Sequence, residues 1–334
     1  MPVDFDKLFR DITKLKVVVI GDVMLDTYWW GDVDRISPEG PVPVVAVTNR
    51  EHRVGGAGNV ALNVRSLEGS VSVISIVGDD HEGEQLTKLM ADKDIDTSFI
   101  LKSSTRVTTN KIRIIGRNQQ MMRLDAETTR EIEEDHANEL FRQLENCAGL
   151  KMPEVVILQD YNKGVLTEPF IKKIIDFCNA NNIVCAADPK IKNFFAYKNV
   201  TLFKPNLKEV REGLQILSGV FTIDKMSEVH QLLKEKVLHK ISLITMSEKG
   251  VFYESDDASG IISSHIRNIA DVSGAGDTVI AVASLIYAVT KSVILMAEIA
   301  NIAGGLVCEE VGTIAIDKQK LLAECKRLLV SPRV

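Results

Sequence analysis

The chain has 334 residues, is 45% hydrophobic and carries a formal net charge of −6, a composition typical of a globular protein with a large core. This mild acidity argues against binding to nucleic acid or to a membrane surface, since both require a basic field. The five cysteines include no C-x-x-C pair, which predicts reduced thiols and a cytoplasmic protein.

The predicted elements begin without a targeting segment, because "MPVDFDKLFRDITKLK" alternates charged and apolar residues and does not form a signal peptide. From there, short β-branched runs alternate with stretches of helical spacing. The strand-like runs are 17–21, 71–78, 154–160, 182–188, 200–206 and 241–247, and the helical stretches are 57–68, 82–92, 167–180 and 224–237. Three successive helices follow, roughly 275–290, 292–308 and 318–330. This order predicts an α/β fold with a central, mostly parallel sheet and helices on both faces.

Two stretches interrupt this alternation. Residues 27–52 contain both tryptophans and three prolines, and residues 105–125 alternate like two exposed strands around a turn at 116–118. Together they predict a small β-sheet that covers a site as a lid; hairpins without a role are the alternative. The core then comprises residues 1–26, 53–104 and 126–334. Because exposed strand edges favour pairing, the lid also predicts a homodimer. The acidic run 126–140 predicts a helix with a solvated face.

Polar side chains follow the predicted strands. They are Asp22, Asp26, Asp160 to Lys163, Asp188 to Lys190, Asn206 and Ser247. In an open α/β sheet, ligands bind beyond the carboxyl ends of the strands. A mixed-charge set of this kind is what a phosphoryl-transfer site requires.

A first glycine-rich turn, "VGGAGNVALN" at 54–63, opens a predicted helix. The loose dinucleotide fingerprint G-x-G-x-x-A lies within it, but the charged "TNREHR" separates the strand-like run 42–47 from the turn, which argues against that function. We expect the backbone of Gly55 and Gly56 to approach a polyhydroxylated ligand, with Asn59 as hydrogen-bond donor and acceptor. Packing of the helix on the sheet is the alternative.

A second glycine-rich turn, "DVSGAGDTVIA" at 271–281, precedes an apolar run over 279–289. That run is too short to cross a bilayer and predicts a buried helix. Its amino-terminal N–H groups would form a preorganised site for the charge that develops on a transferring phosphoryl group. Asp277 would then be a general base that takes the proton of an attacking sugar hydroxyl. An acid favoured there by the helix dipole is the alternative.

The segment "KPNLKEV" at 204–210 ends a predicted strand and begins a helix. Asn206 and Glu209 have capping-box spacing, which fully explains them, although they could also hold waters around Mg²⁺. No Walker A pattern and no H-E-x-x-H pair occurs in the sequence, which argues against a P-loop kinase and against zinc chemistry.

"GGAGNVALN" and "DVSGAGDTVIA" resemble, in order and spacing, the two signatures of the ribokinase-like carbohydrate kinases, over essentially the whole chain. The resemblance implies a ribokinase-like fold, ATP and Mg²⁺ as cofactors, and Asp277 as the base, with Gly274, Ala275 and Gly276 in the anion hole. It implies sugar-hydroxyl binding by Asp26 and Asn59. On the nucleotide side it assigns Asn206 and Glu209 (which would hold Mg²⁺ through water), Thr245, Ser247 (where many members have glycine), Gly250 and Asn301.

Within this family, "GDVMLDTYWWGDVDRISPEGPVPVV", "RNQQMMRLD", "DYNKG" and "DPK" resemble the kinases that act on a heptose phosphate in lipopolysaccharide precursor synthesis. The resemblance implies phosphorylation of the anomeric hydroxyl of D-glycero-β-D-manno-heptose 7-phosphate to the 1,7-bisphosphate. In many bacteria such a kinase is fused to a nucleotidyltransferase with an H-x-G-H motif. These 334 residues lack that motif, so we expect a kinase-only form or the kinase part of a longer protein.

The phosphate of such a substrate requires cations. The candidates on the lid and at the strand ends are Lys111, Arg113, Arg117, Arg123, Lys163 and Lys190. Alternation along a strand puts Lys111 and Arg113 on one face, so they can act together. We assign Lys111, Arg113 and Lys163 to the phosphate first, and Lys190 also to the substrate.

Three alternatives stay open at this point. The chain could be a kinase of the same fold that acts on another sugar or sugar phosphate, such as fructose phosphate or ribose. It could be a sensor without catalysis, although the intact turn before Asp277 argues against that. It could be a dehydrogenase, whose weak point is the displaced strand before Gly55.

Overall fold

The computed structural model describes residues 3–117, 119–216, 222–265 and 267–329. Its strands are β1 Lys16–Gly21, β2 Val23–Ile36, β3 Pro43–Gly56, β4 Ser70–Gly78, β5 Ile100–Ser103, β6 Asn110–Gly116, β7 Gln119–Ala126, β8 Val155–Gln159, β9 Val184–Asp188, β10 Leu202–Phe203, β11 Ile241–Thr245, β12 Val251–Glu254 and β13 Ser259–Ile262. Its α-helices are α1 Phe5–Ile12, α2 Ala57–Ser66, α3 His81–Ala91, α4 Glu134–Leu150, α5 Glu168–Ala180, α6 Leu207–Leu214, α7 Ile223–Val237, α8 Ala275–Thr290, α9 Val293–Val307 and α10 Lys318–Leu329.

The large sheet of the described chain has the strand order β13-β12-β11-β10-β9-β8-β1-β4-β5. Its seven strands β5, β4, β1, β8, β9, β10 and β11 pair parallel with their neighbours in this order. Strands β12 and β13 pair antiparallel at the end next to β11. Every residue of β1, β8 and β9 is buried, which is why these strands read as unbroken apolar runs. The predicted α/β fold with a mostly parallel sheet is confirmed.

Strand β1 shows how the two helical layers are held. Val17 and Val19 point into one core, which they share with α1, α2, α8, α9 and α10. Val18 and Ile20 point into the other core, with α4, α5 and α7. Because successive side chains of a strand face opposite sides, a run of valine and isoleucine buries apolar surface against both layers at once.

A second, four-stranded sheet has the order β3-β2-β6-β7. Strand β2 pairs antiparallel with β3 and parallel with β6, and β6 pairs antiparallel with β7. The sheet contains strands from both stretches that interrupt the predicted alternation, and it extends beyond them, since β2 begins at Val23 and β3 ends at Gly56. Of the turn predicted at 116–118, Asn118 lies outside the described residues.

The prediction that charged residues separate a strand from the first glycine turn is wrong. Strand β3 runs through "TNREHR" and reaches Gly56, so the strand leads directly into α2. Charged side chains are compatible with this strand because it lies in the second sheet, where most of β3 is exposed or half-buried. The dinucleotide fingerprint is still not met, because β3 pairs antiparallel with β2 and is not part of the parallel sheet.

Other predicted bounds also shift. The acidic run 126–140 is not one helix, since residues 127–133 are irregular and α4 begins at Glu134. The strand predicted over 200–206 is reduced to Leu202–Phe203. The amino-terminal helix α1 has a buried face that the charge alternation did not reveal. Among the helices described, none has both the length and the apolar character that crossing a membrane demands.

Candidate active site

Polar residues from distant parts of the chain meet where β8 and β9 end. Gln159 is the last residue of β8, Asp188 is the last of β9, and Asp277 lies in the first turn of α8. The side chain of Gln159 donates to both carboxylates, at 3.1 Å to Asp188 Oδ2 and 3.1 Å to Asp277 Oδ1. The site therefore lies at the carboxyl edge of the parallel sheet, as the topology rule for such sheets requires.

The carboxylate of Asp277 is buried and held by three donors. Asn59 Nδ2 donates to Oδ2 at 2.8 Å, and the Tyr161 hydroxyl donates to Oδ1 at 2.7 Å. Gln159 Nε2 is the third donor, also to Oδ1. A carboxylate offers about four lone-pair positions, so the described residues leave one open, on Oδ2 beside Asn59.

Burial raises the pKa of Asp277 to about 6. The hydrogen bonds from Asn59 and Tyr161 lower this pKa, the nearby Asp188 raises it, and Lys204 lowers it. A carboxylate with a pKa near 6 is largely ionised at neutral pH and is a stronger base than an ordinary aspartate. The group is therefore suited to accept a proton from a bound hydroxyl.

The turn before Asp277 has the geometry of an anion site. Gly274 has φ 81° at the amino end of α8, and a Cβ there would lie 2.8 Å from Asn59 Nδ2, so glycine is required. The N–H of Ala275 donates to Val272 O at 3.3 Å. The N–H groups of Gly276 and Asp277 occupy first-turn positions, where a helix supplies no acceptor of its own. The helix behind them is buried from Asp277 to Ile286, so these donors are fixed.

The predicted sugar-binding residues lie where the second sheet meets the core. Asp26 on β2 accepts from Arg113 Nη1 at 2.5 Å. A Cβ on Gly55 would collide with the Asp26 carboxylate. Gly56 has φ 59°, and a Cβ there would collide with the Asp22 carbonyl oxygen. Close packing of β3 on its neighbours thus explains both glycines locally, and a role toward a ligand is additional to that.

Three of the four cations assigned to the substrate already have a carboxylate partner. They are Arg113 with Asp26 at 2.5 Å, Lys163 with Glu127 at 2.7 Å and Lys190 with Glu209 at 2.5 Å. Lys111 differs, because its ammonium group lies over the Tyr161 ring, 5.5 Å from the centroid, and forms no ion pair with any described residue. Burial lowers the pKa of Lys111, the nearby Asp26 raises it, and Lys163 lowers it again. Of these four cations, Lys111 is thus the one that has no carboxylate in ion-pair contact among the described residues.

Asn206 and Glu209 form the capping box of α6. Glu209 N donates to Asn206 Oδ1 at 2.9 Å, and Asn206 N donates to Glu209 Oε2 at 2.8 Å. The other oxygen of Glu209 accepts from Lys190. Direct binding of Mg²⁺ does not fit this arrangement, since these oxygens are engaged and no cluster of three acidic, histidine or cysteine ligands occurs in the described chain. Contact through water is compatible with it.

The other residues assigned to the nucleotide are Thr245, Ser247, Gly250 and Asn301, and the first of them lies beside Asn206. Thr245 ends β11 and bridges to Asn206. Ser247 has φ 54°, in the left-handed region that glycine adopts most easily. Gly250 has φ 91°, and a Cβ there would collide with the Ile262 carbonyl oxygen. Asn301 on α9 donates to Ser263 O at 2.9 Å, which ties this helix to the segment after β13.

Sequence reasoning gave no specific role to several residues that contact the site. Gln159 and Tyr161 hold Asp277 directly, and Lys204 pairs with Asp188 at 3.0 Å, both side chains being buried. A detectable signal existed, because Gln159 ends the apolar run "VVIL" and Lys204 follows the buried "LF" of β10. A polar residue at the end of a buried strand is costly unless it has a partner.

Comparison with known proteins adds to this geometry. The pfkB family of carbohydrate kinases matches residues 14–320. A "Bifunctional protein HldE" of Campylobacter fetus is 38% identical over 299 residues, which cover 90% of this chain and 64% of that protein. A "D-beta-D-heptose 7-phosphate kinase" of Bordetella bronchiseptica is 36% identical over 315 residues, which cover 94% of this chain and 97% of that protein. The chain thus spans less than two thirds of the bifunctional protein.

Solved structures show the same fold. A ribokinase of Arabidopsis thaliana, complexed with ribose and ATP, aligns with a TM-score of 0.70 at 14% identity, over 92% of this chain and 98% of that one. Phosphofructokinase-2 of Escherichia coli aligns with a TM-score of 0.76 at 19% identity, over 94% of this chain and 100% of that one. The ribokinase-like fold is therefore confirmed. With the sequence matches, this establishes that the chain belongs to the pfkB family of carbohydrate kinases.

Proposed function

We propose that the protein transfers the γ-phosphoryl group of ATP to the anomeric hydroxyl of D-glycero-β-D-manno-heptose 7-phosphate and forms the 1,7-bisphosphate. The single observation that carries this proposal is the buried carboxylate of Asp277, which has an open lone pair at the amino end of a buried helix. The Bordetella relative, whose name states this substrate class, supports the choice of sugar. The reaction would serve lipopolysaccharide heptose precursor synthesis in the cytoplasm, where ATP is available.

The geometry leads to an in-line displacement. The acceptor hydroxyl donates to Oδ2 of Asp277, on the lone pair beside Asn59. As its oxygen bonds to the γ-phosphorus, the proton passes to the carboxylate and the bond to the β–γ bridging oxygen breaks, which leaves ADP. The family resemblance assigns the N–H groups of Gly274, Ala275 and Gly276 to the charge that develops on the transferring group; that of Ala275 donates to Val272 O at 3.3 Å, whereas that of Gly276 has no acceptor within the helix. Each is fixed before reaction because α8 is buried.

The remaining site residues receive the two substrates. On the sugar side, Asp26, Asn59 and the backbone at Gly55 and Gly56 bind hydroxyls. The substrate's own phosphate binds Lys111 first, with the other cations, Arg113, Lys163 and Lys190, around it. On the nucleotide side, Thr245, Ser247, Gly250 and Asn301 hold ATP. Mg²⁺ would neutralise charge on the ATP phosphates, held through water by Asn206 and Glu209.

Coupled measurement of ADP release across a panel of sugars tests this proposal. The panel contains heptose 7-phosphate, fructose 6-phosphate, ribose and unphosphorylated heptose. We expect turnover to be highest with heptose 7-phosphate. Preference for fructose 6-phosphate or ribose would leave a carbohydrate kinase but refute the proposed substrate.

The variant Asp277→Asn tests the base. We expect kcat to fall by about 10²- to 10⁴-fold, the usual scale for a general base, while ATP still binds in equilibrium titration. The exposed Asp92→Asn is the matched control and should turn over normally. Near-normal turnover of Asp277→Asn would refute the assignment.

A further inference from the structure

Tyr161 is held in place by a buried anchor. Its backbone N–H donates to Asp22 Oδ2 at 2.8 Å. The same carboxylate accepts the N–H groups of Lys163 at 3.0 Å and Val165 at 3.1 Å. Asp22 is 1% exposed, so the segment after β8 is tied to the end of β1 by three bonds from one buried group. A side chain anchored in this way can position others.

The hydroxyl of Tyr161 acts on the base. It donates to Asp277 Oδ1 at 2.7 Å, where Gln159 also donates at 3.1 Å. Oδ1 thus has both of its lone pairs engaged, whereas Oδ2 accepts only from Asn59 among the described residues. An incoming hydroxyl is consequently directed to Oδ2. Without the phenol, both oxygens would be open and the carboxylate could rotate.

The ring of Tyr161 acts on the cations. The ammonium groups of Lys111 and Lys190 lie 5.5 Å and 5.4 Å from its centroid, within the range of a cation–π contact. For Lys111 the ring takes the place of a carboxylate partner, since no described carboxylate pairs with it. An aromatic face holds an ammonium group without neutralising it. The charge of Lys111 therefore stays available to an anionic ligand.

We propose that Tyr161 is a positioning residue with two separable functions: its hydroxyl orients the carboxylate of Asp277, and its ring holds Lys111 and Lys190 toward the phosphate of the substrate. This inference rests on the proposed function. It names a residue that fixes the position of the base relative to the cations of the phosphate pocket. Because the two functions belong to different atoms, two substitutions separate them.

The hydroxyl has a predictable effect on pH dependence. The charged and titratable groups that face Asp277 are Asp188, Lys204, Lys190 and Tyr161. Of these, the Tyr161 hydroxyl lowers the pKa of Asp277 by donating to its ionised form. Its removal raises the pKa above the value of about 6 that Asp277 has with all its partners present. The base is active when ionised, so the acidic limb of the rate profile moves to higher pH.

The experiment compares Tyr161→Phe and Tyr161→Leu in the full chain, with Tyr197→Phe as the control. For Tyr161→Phe we expect kcat to fall about tenfold, the scale of one hydrogen bond to a charged group, with the acidic limb at higher pH and an unchanged KM for heptose 7-phosphate. For Tyr161→Leu we expect, in addition, a rise of about tenfold in that KM and little change in the KM for ATP.

Tyr197→Phe removes an equivalent buried contact, since the Tyr197 hydroxyl donates to Asp160 Oδ2 at 2.7 Å and the side chain is fully buried. It should lower the melting temperature but leave the acidic limb in place. A limb that does not move in Tyr161→Phe, or a KM that is the same in both Tyr161 variants, overturns the inference. The unmodified enzyme's panel tests the proposed function alone, so the two failures are distinguishable.

Discussion

Under the proposed function, Lys111 is the residue on which the choice of an anionic sugar would depend most directly. It is half-buried on the second sheet, its pKa is lowered by burial, and no described carboxylate pairs with it. A phosphate placed there would restore the interactions that the ammonium group lost on leaving water. Lys163 is already paired with Glu127, so a phosphate has less to add.

We therefore expect Lys111→Met to raise the KM for heptose 7-phosphate by about 10- to 100-fold, the scale of a hydrogen bond between charged groups, with the KM for ATP unchanged. Lys163→Met should act in the same direction but less. Initial-rate kinetics with each substrate varied in turn measures both effects. Equal weakening of ATP and sugar phosphate by Lys111→Met would remove that residue from the phosphate pocket.

Among the residues of the candidate site, the sequence identifies those that belong to a recognisable motif. Asp277 and Asn59 were identified because glycines mark both turns, and they lie in hydrogen-bond contact at 2.8 Å. Tyr161 and Gln159 were not assigned a role, because their contacts with Asp277 span more than 110 positions along the chain. Such contacts depend on the order of strands in the sheet, which no local pattern contains.

Among the elements, α7 and β11 are joined by a buried histidine pair. His230 Nδ1 and His239 Nε2 lie 2.9 Å and 2.6 Å from the Ser242 hydroxyl. Burial lowers the pKa of His239 to about 3, and burial also lowers that of His230. Both rings are therefore neutral in the folded protein at pH values where the unfolded chain, with a histidine pKa near 6.5, binds protons.

The contribution of these two neutral histidines to the free energy of unfolding should consequently be fully present above pH about 6.5. It should decline as pH falls toward 3, by at most about 1.4 kcal/mol per pH unit for each histidine. Melting temperatures measured between neutral and mildly acidic pH test this decline. His239→Gln should flatten it, whereas the same change at the exposed His81 should not. An identical slope in the His239 variant and the parent would contradict the expectation.

A second link between elements joins β3 to the anion turn. Arg53 Nη1 donates to Val311 O at 2.9 Å, and the next N–H, of Gly312, donates to Asp271 Oδ2 at 2.9 Å. Asp271 in turn accepts from Ser273 N and Oγ, at 2.9 Å and 2.8 Å, one residue before Gly274. The second sheet thus braces the segment that holds the turn.

We expect Arg53→Met to lower kcat by about tenfold, because small displacements of catalytic groups are costly in rate, with a small change in melting temperature. Arg50→Met is the control, since Arg50 lies on the same strand but stacks on Trp29 at 5.0 Å. Steady-state kinetics with melting curves distinguishes a rate effect from unfolding. If both variants keep the parent's kcat, the link has no catalytic consequence.

At this scale the periodicity of the sequence predicts most of the core. Most parallel strands and the late helices were expected near their observed positions, because burial on both faces leaves an apolar run; the short β5 was not expected. The path of β3 was not, since a strand in a thin exposed sheet can carry Asn49 to Arg53 without a burial cost. Short strands such as β12 and β13, near one edge of the large sheet, give too few residues for a pattern.

For the whole molecule, the second sheet raises the question of assembly. Its two faces differ in composition. Lys111 and Arg113 lie opposite Asp26 and Tyr28 in the strand register, on the face toward the site. The opposite face, by alternation, carries the apolar side chains of Trp29, Ile112, Ile114, Met122 and Leu124. It also carries Thr27, and Arg50 of β3 stacks on Trp29.

Met122 and Leu124 on that face are 55% and 43% exposed. An exposed apolar patch on a sheet is typical of an interaction surface. We propose that two copies cover it by stacking their second sheets, which would make a homodimer through the sheet faces instead of through the strand edges that the sequence analysis invoked, and would keep each second sheet rigid over its own site. Such a contact would depend on apolar area, so a charge placed at its centre should weaken it.

We expect the double variant Met122→Lys, Leu124→Lys to convert a dimer into a monomer, because two buried ammonium groups facing a second pair would be unpaired. Sedimentation velocity at several concentrations measures the shift in mass. Leu150→Lys, at the exposed end of α4, introduces the same charge far from the sheet and should leave the dimer intact. A parent protein that sediments as a monomer at every concentration would contradict assembly through this face.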